Sequence, residues 1–164
     1  MSQLLMKQKV FSLGERFTIT DEHEQDRFYI EGSILSLPKR FTIKTADEKE
    51  VATIEKKVFS FLPRFYVDVD GEENVVINKE LSLFKARFNI AGAGIDVSGD
   101  WWDKQFEITK DGTRIARVEE KWFTWGDTYV IDIGKPSLEI LILAIVVAID
   151  FVKSDERKRR RNRN

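Results

Sequence analysis

Ten consecutive apolar residues, Ile140 to Ile149, stand between Glu139 and Asp150, and a run of basic residues begins soon after at Lys153. A segment with no polar face needs apolar surroundings on every side, and only lipid or a protein interior supplies them. As a helix the run covers roughly 15 Å at about 1.5 Å per residue, half of a hydrocarbon core about 30 Å thick. Length therefore favours burial within the protein, as a central helix over about 137–152. The alternatives are a membrane anchor, with a thinned bilayer and a snorkelling Lys153, and a buried strand. Ser137 after Pro136 suits a helix N-cap, Glu139 suits the first turn, and Lys153 with the bases after it suits the negative end of the helix dipole.

A closed β-barrel supplies apolar surroundings, and the body of the chain reads as strands. Arg-Phe-x-Ile/Val occurs five times, at Arg16, Arg27, Arg40, Arg64 and Arg87, with Gln105 to Ile108 as a weaker sixth copy. In each, Phe and the aliphatic residue are two apart and share one face of a strand, with a polar group just ahead. A longer echo links Phe41–Val69 with Phe106–Ile133: Val51, Ala52 and Ile54 match Ile115, Ala116 and Val118, and Lys57 and Phe59 match Lys121 and Phe123. Both segments run strand, turn, strand, long connection, strand, as in an internally duplicated sheet with turns that have drifted in length. Asp70-Gly71 and Asp111-Gly112 mark hairpins, and Thr45–Glu50 takes the place of the second in the first copy.

Residues 11–133 then hold roughly ten to twelve short strands at intervals of about 8 to 12 residues, a spacing that favours a barrel or sandwich. Pro38, Pro63 and Pro136 all fall in the connections. The expected fold is mainly β, a closed antiparallel β-barrel of about twelve strands, internally duplicated, around a buried hydrophobic C-terminal helix. One domain covers 1–152, and 153–164 is expected to be a basic, disordered tail.

The formal net charge of −1 hides a split. Residues 1–150 carry 20 Lys/Arg against 26 Asp/Glu, whereas residues 151–164 carry seven against two. Only the tail has the composition of an anion-binding element, and Arg157, Lys158, Arg159, Arg160, Arg161 and Arg163 are its candidate ligands. Anionic phospholipid or a membrane surface fits them better than nucleic acid, because no aromatic residue follows Phe151 to stack on bases. The chain has no cysteine, which excludes disulfides, thiolate catalysis and Cys-based metal sites. Lys7 and Lys9 interrupt the apolar start at Leu4–Met6, far short of a signal peptide's core, so a cytoplasmic protein, peripheral at the membrane, is expected.

Ile30–Leu37 (IEGSILSL), Gly112–Ile133 (GTRIARVEEKWFTWGDTYVIDI) and Leu143–Asp150 (LAIVVAID) carry a resemblance to the LURP-one-related family, from about Lys7 to Val152. The resemblance implies the fold shared with tubby C-terminal domains and phospholipid scramblases, a twelve-stranded barrel around a hydrophobic C-terminal helix. Tubby domains bind phosphoinositide headgroups through basic residues, scramblases act at membranes, and plant family members are tied to defence. These motifs mark architecture rather than chemistry, and the lysines of this sequence do not align individually with tubby's headgroup-binding positions.

No constellation in the sequence meets the spacing demanded by a reaction, so no enzyme, cofactor or metal is expected. His23, the sole histidine, lies in the acidic turn Asp21–Asp26 and reads as solvated surface. Ser33, Ser36 and Ser98 lack a nucleophile-elbow context. Asp68, Asp70 and Glu72 fail as a calcium loop, because Glu73 stands where glycine is needed and Lys79 where an acid is needed. Gly92, Gly94 and Gly99 are not a dinucleotide fingerprint, since Val97 holds the third glycine's place, and they read as strand bends. Trp101 and Trp102 are adjacent in a strand and face opposite ways, one core and one surface, while Trp122 and Trp125 fall in a connection. Two functions remain: a non-enzymatic binding or regulatory barrel that contacts anionic headgroups, and a membrane-inserted, scramblase-like protein that uses the C-terminal helix.

Overall fold

The computed structural model describes residues 2–7, 16–33, 39–57, 64–70, 75–80, 87–91, 94–100, 105–123 and 126–163, and excludes the side chains of 79–80, 87–91, 100, 122–123, 126–127 and 153–158. Among the described residues are twelve strands: β1 Ser2–Lys7, β2 Arg16–Asp21, β3 Asp26–Gly32, β4 Arg40–Thr45, β5 Glu50–Lys56, β6 Arg64–Val69, β7 Val75–Glu80, β8 Arg87–Ala91, β9 Ile95–Asp100, β10 Gln105–Lys110, β11 Thr113–Phe123 and β12 Gly126–Ile133. A 3-10 turn at Pro136–Leu138 leads into helix α1, Glu139–Arg161. Every strand pairing is antiparallel between neighbours in sequence, and β1 is hydrogen-bonded both to β2 and to β12. Strand β1 lies ahead of the region in which strands were expected. Its Leu4 and Met6 point inward and are buried, so this short apolar segment forms part of the wall.

The Arg-Phe-x-Ile/Val motif does what its spacing requires. Phe28 and Ile30, Phe41 and Ile43, Phe65 and Val67, and Phe106 and Ile108 are all buried, while Ile19 is buried and Phe17 is packed against the core. In three hairpins the ladder slips one residue directly after the motif's isoleucine, at Ile19, Ile43 and Ile108. The partner strand accommodates the slip with an extra residue, and a bulge of that kind lets two consecutive side chains turn to one face. Val51 with Ala52 and Ile115 with Ala116 are such pairs, both members buried. The residues that echo each other in sequence thus sit on equivalent irregularities.

Turn chemistry fixes these hairpins. Asp111 and Gly112 both have positive φ, 50° and 77°, the mirror-image turn that matches strand twist. The turns after β2 and β4 place Glu24 (φ 60°) and Glu48 (φ 68°) in the left-handed region, a conformation that costs a residue with a Cβ about 1–2 kcal/mol.

Helix α1 packs against the inward face of the strands. Leu141 to Val152 are buried without interruption, Asp150 among them, in one cluster with the inward residues of the wall. The alternatives of a lipid anchor and a buried strand are not realised: protein covers the helix, and among the described residues no helix is long and apolar enough to cross a membrane. Two boundaries differ from expectation. Ser137 is not the N-cap of α1 but lies in the 3-10 turn. The segment 153–164, expected to be disordered, continues the helix to Arg161, because Lys, Glu and Arg are good helix formers and extend a helix already nucleated by the core. Ser36, Glu72, Gly92, Trp101, Trp102 and Trp125 lie outside the described residues.

Two outcomes are expected for stability. Ile145, fully buried at the centre of α1, becomes a cavity in Ile145→Ala, and urea unfolding should show a loss of about 2–5 kcal/mol. Glu24→Gly removes the left-handed cost at an exposed turn, and the same measurement should show a gain of up to about 1 kcal/mol after the added chain entropy of glycine.

Candidate functional site

Alternating strand direction sorts the connections to two ends. The ends of β2, β4, β6, β8 and β10 and the starts of β3, β5, β7, β9 and β11 lie where α1 begins, and the opposite strand ends lie where α1 leaves the strands.

The turn end is acidic. Asp21, Glu22, Glu24 and Asp26 belong to the first turn, Asp47, Glu48 and Glu50 to the second, and Asp70 and Asp111 to later ones. Asp21 is structural: one carboxylate oxygen accepts the backbone N–H of His23 at 2.9 Å and of Gln25 at 3.0 Å. These bonds, that from Gln25 foremost, hold its carboxyl below the ordinary value of 3.8. His23 itself points outward, with a side chain 74% exposed that lies 3.7 Å from Glu22. Asp70 faces Lys49 at 3.8 Å. Glu139, in the first turn of α1, accepts from Arg27 of β3 at 3.2 Å, and its negative charge also suits the helix N-terminus.

The other end is basic, and the predicted candidates belong to it. Arg159, Arg160, Arg161 and Arg163 are exposed at the end of α1. Arg157 and Lys158 are on the same helix by backbone, with side chains outside the described set. Arg161 lies nine positions beyond Val152, the last buried residue among those described, which is roughly 13 Å of helix at about 1.5 Å per residue.

Structure adds residues that sequence reading missed. Phe151 meets Phe41 and Phe65 edge to face, with centroids 5.1 and 5.8 Å away, closing the core at this end. Above its ring stand two ammonium groups, Lys39 at 5.5 Å and Lys56 at 5.3 Å from the centroid, within cation–π range. Backbone hydrogen bonds of 2.9 Å from Lys56 to the Lys39 carbonyl and from Lys57 to the Arg64 carbonyl tie these strand ends together. The only signal in the sequence is basic residues at three strand ends, Lys39-Arg40, Lys56-Lys57 and Arg64. Nothing local says that they meet.

Among the described residues the outer wall carries paired charges. Arg16 covers the Tyr29 ring at 3.8 Å, faces Glu31 at 3.4 Å and bonds Glu48, and Lys44 also reaches Glu31 at 2.8 Å. Arg114 with Glu107 and Arg117 with Glu119 repeat the pattern on β10 and β11. Such exposed pairs contribute about 0–1 kcal/mol each. Among the described residues no group of three or more carboxylate or imidazole side chains is placed to hold a metal ion.

Comparison with known proteins gives concordant matches. The family model described as LURP-one-related matches residues 2–150. The uncharacterized protein YxjI of Bacillus subtilis (strain 168) is 33% identical over 153 residues, spanning 93% of this chain and 94% of that protein. An Arabidopsis thaliana protein of known X-ray structure superposes with a TM-score of 0.63 at 15% identity, over 93% of this chain and 91% of that one. That likeness concerns the fold.

The Asp21 geometry has a pH consequence. Because its folded pKa is depressed, the stabilisation it supplies is complete above 3.8 and is lost as pH falls through the folded value. An NMR titration should place the Asp21 midpoint below 3.8, and Gln25→Pro, which deletes the leading donor, should move it upward.

Proposed function

The chain belongs to the LURP-one-related family, and from that premise we propose that it is a non-enzymatic binding or regulatory domain that contacts anionic lipid surfaces. In this reading the twelve strands act as one closed, internally duplicated barrel, and α1 serves both as its core and as the stalk of its basic end. The observation that carries the proposal is the basic end of α1, which leaves the core as an ordered helix with Arg159, Arg160, Arg161 and Arg163 exposed. A helical stalk presents its bases at fixed spacing, so less side-chain and backbone freedom is lost on binding than from a coil. Each basic residue near an anionic bilayer contributes about 1 kcal/mol, and the attraction falls with salt. The same helix, buried through Val152, is committed to the protein interior, which favours peripheral contact over insertion.

Flotation of the full chain with phosphatidylglycerol vesicles tests this. Binding is expected at low ionic strength, with release by a high-salt wash and strong weakening on deletion of residues 154–164. Failure to float at low salt, or equal binding to neutral phosphatidylcholine vesicles, would overturn it.

A further inference from the structure

We propose that the protein docks end-on to an anionic lipid bilayer, through a cationic collar of Lys39, Lys56, Lys57 and Arg64 around the exit of α1, with the acidic turns facing away. This rests on the function proposed above and adds which part of the folded body makes the contact. The four bases stand just before β4, at and just after the end of β5, and at the start of β6, and backbone hydrogen bonds hold those strand ends together. Glu55 is the acidic residue in the same segments. Arg64 donates to the neutral Asn78 at 2.7 Å, so its guanidinium is not neutralised there, whereas Arg40 extends along the wall to within 4.0 Å of Glu50, at the start of β5, and is not part of the collar. Lys57 is exposed, and the stalk of α1 carries its arginines outward from the same end.

Net charge argues against attraction to an anionic surface, and distance decides the matter. Strands of six or seven residues separate the two ends by roughly 20 Å at about 3.3 Å per residue. The screening length at physiological ionic strength is about 8 Å. A bilayer touching the collar therefore feels the collar and the stalk, while the acidic turns lie more than two screening lengths away. Turned the other way, the molecule would present Asp21, Glu22, Glu24, Asp47 and Glu48 to like charge. Charge complementarity thus selects one orientation, with the axis of α1 across the plane of contact.

The test uses the full chain and phosphatidylglycerol vesicles. The double variant Lys57→Gln/Arg64→Gln leaves the two lysines over Phe151 in place, and a thermal unfolding curve matching wild type shows that it is folded. At about 1 kcal/mol per base its lipid affinity should fall about thirtyfold. The chain has no cysteine, so single labels at Gln105→Cys, on the stalk end, and Ala46→Cys, on a turn, report orientation. A bilayer-borne quencher should darken the label at 105 and spare that at 46. Unchanged affinity of the double variant, or equal quenching at both positions, overturns the collar while leaving tail-mediated lipid binding standing. A wild-type protein that ignores the vesicles overturns both. Binding to homopolymeric RNA but not to vesicles, with the same dependence on Lys57 and Arg64, overturns the lipid as occupant.

Discussion

A helix with no polar face organises this molecule. Twelve successive buried residues, Leu141 to Val152, require contact on all sides, and no single layer of strands or helices can provide it. The strands solve this by curving around the helix, with β1 paired to β12 as well as to β2. From that follows the inward set of Phe and Ile or Val in each Arg-Phe motif. The bulges after Ile19, Ile43 and Ile108 follow too, because a sheet wrapped this tightly needs local kinks to turn. Residues far apart in sequence become neighbours as a result: Gln3 donates to Asp132 at 2.7 Å across the β1–β12 ladder.

Enclosing a helix also gives the body two unlike ends. The positive end of the helix dipole meets Glu139 and the acidic turns, and the arginines of the stalk stand at its negative end. The charge that stabilises each helix terminus is of the same sign as the charge displayed there to solvent. Helix stability and surface charge therefore draw on the same residues at the basic end. A formal net charge of −1 conceals this arrangement, since residues 1–150, with 20 Lys/Arg and 26 Asp/Glu, nearly cancel residues 151–164, with seven and two.

Much of the fold could be read from the chain. Period-two spacing in the Arg-Phe motifs placed the inward side chains, Asp111-Gly112 marked a hairpin that adopts the expected mirror-image turn, and the ten-residue apolar run gave the buried helix. The helix was read as ending near 152 because a charge run after an apolar run resembles a solvated tail, whereas a nucleated helix propagates through Lys, Glu and Arg at little cost. Strand β1 escaped because Leu4 to Met6 is too short to announce a strand until its partners exist. The stalk arginines were visible as composition, but the bases of the three strand ends were not, being spread over some twenty-five positions.

What the sequence by itself determined is whatever depends on neighbours a few residues away: the faces of strands, the places of turns, the need of one helix for complete cover, and the family. What only the tertiary structure decided depends on register. A one-residue slip after Ile43 puts both Val51 and Ala52 inside, and the same alignment of β4, β5 and β6 brings Lys39, Lys56 and Phe151 to one rim. Side-chain periodicity is a local property of the backbone, but ladder registers are set by packing between segments distant along the chain, and the basic rim exists only once those registers are set.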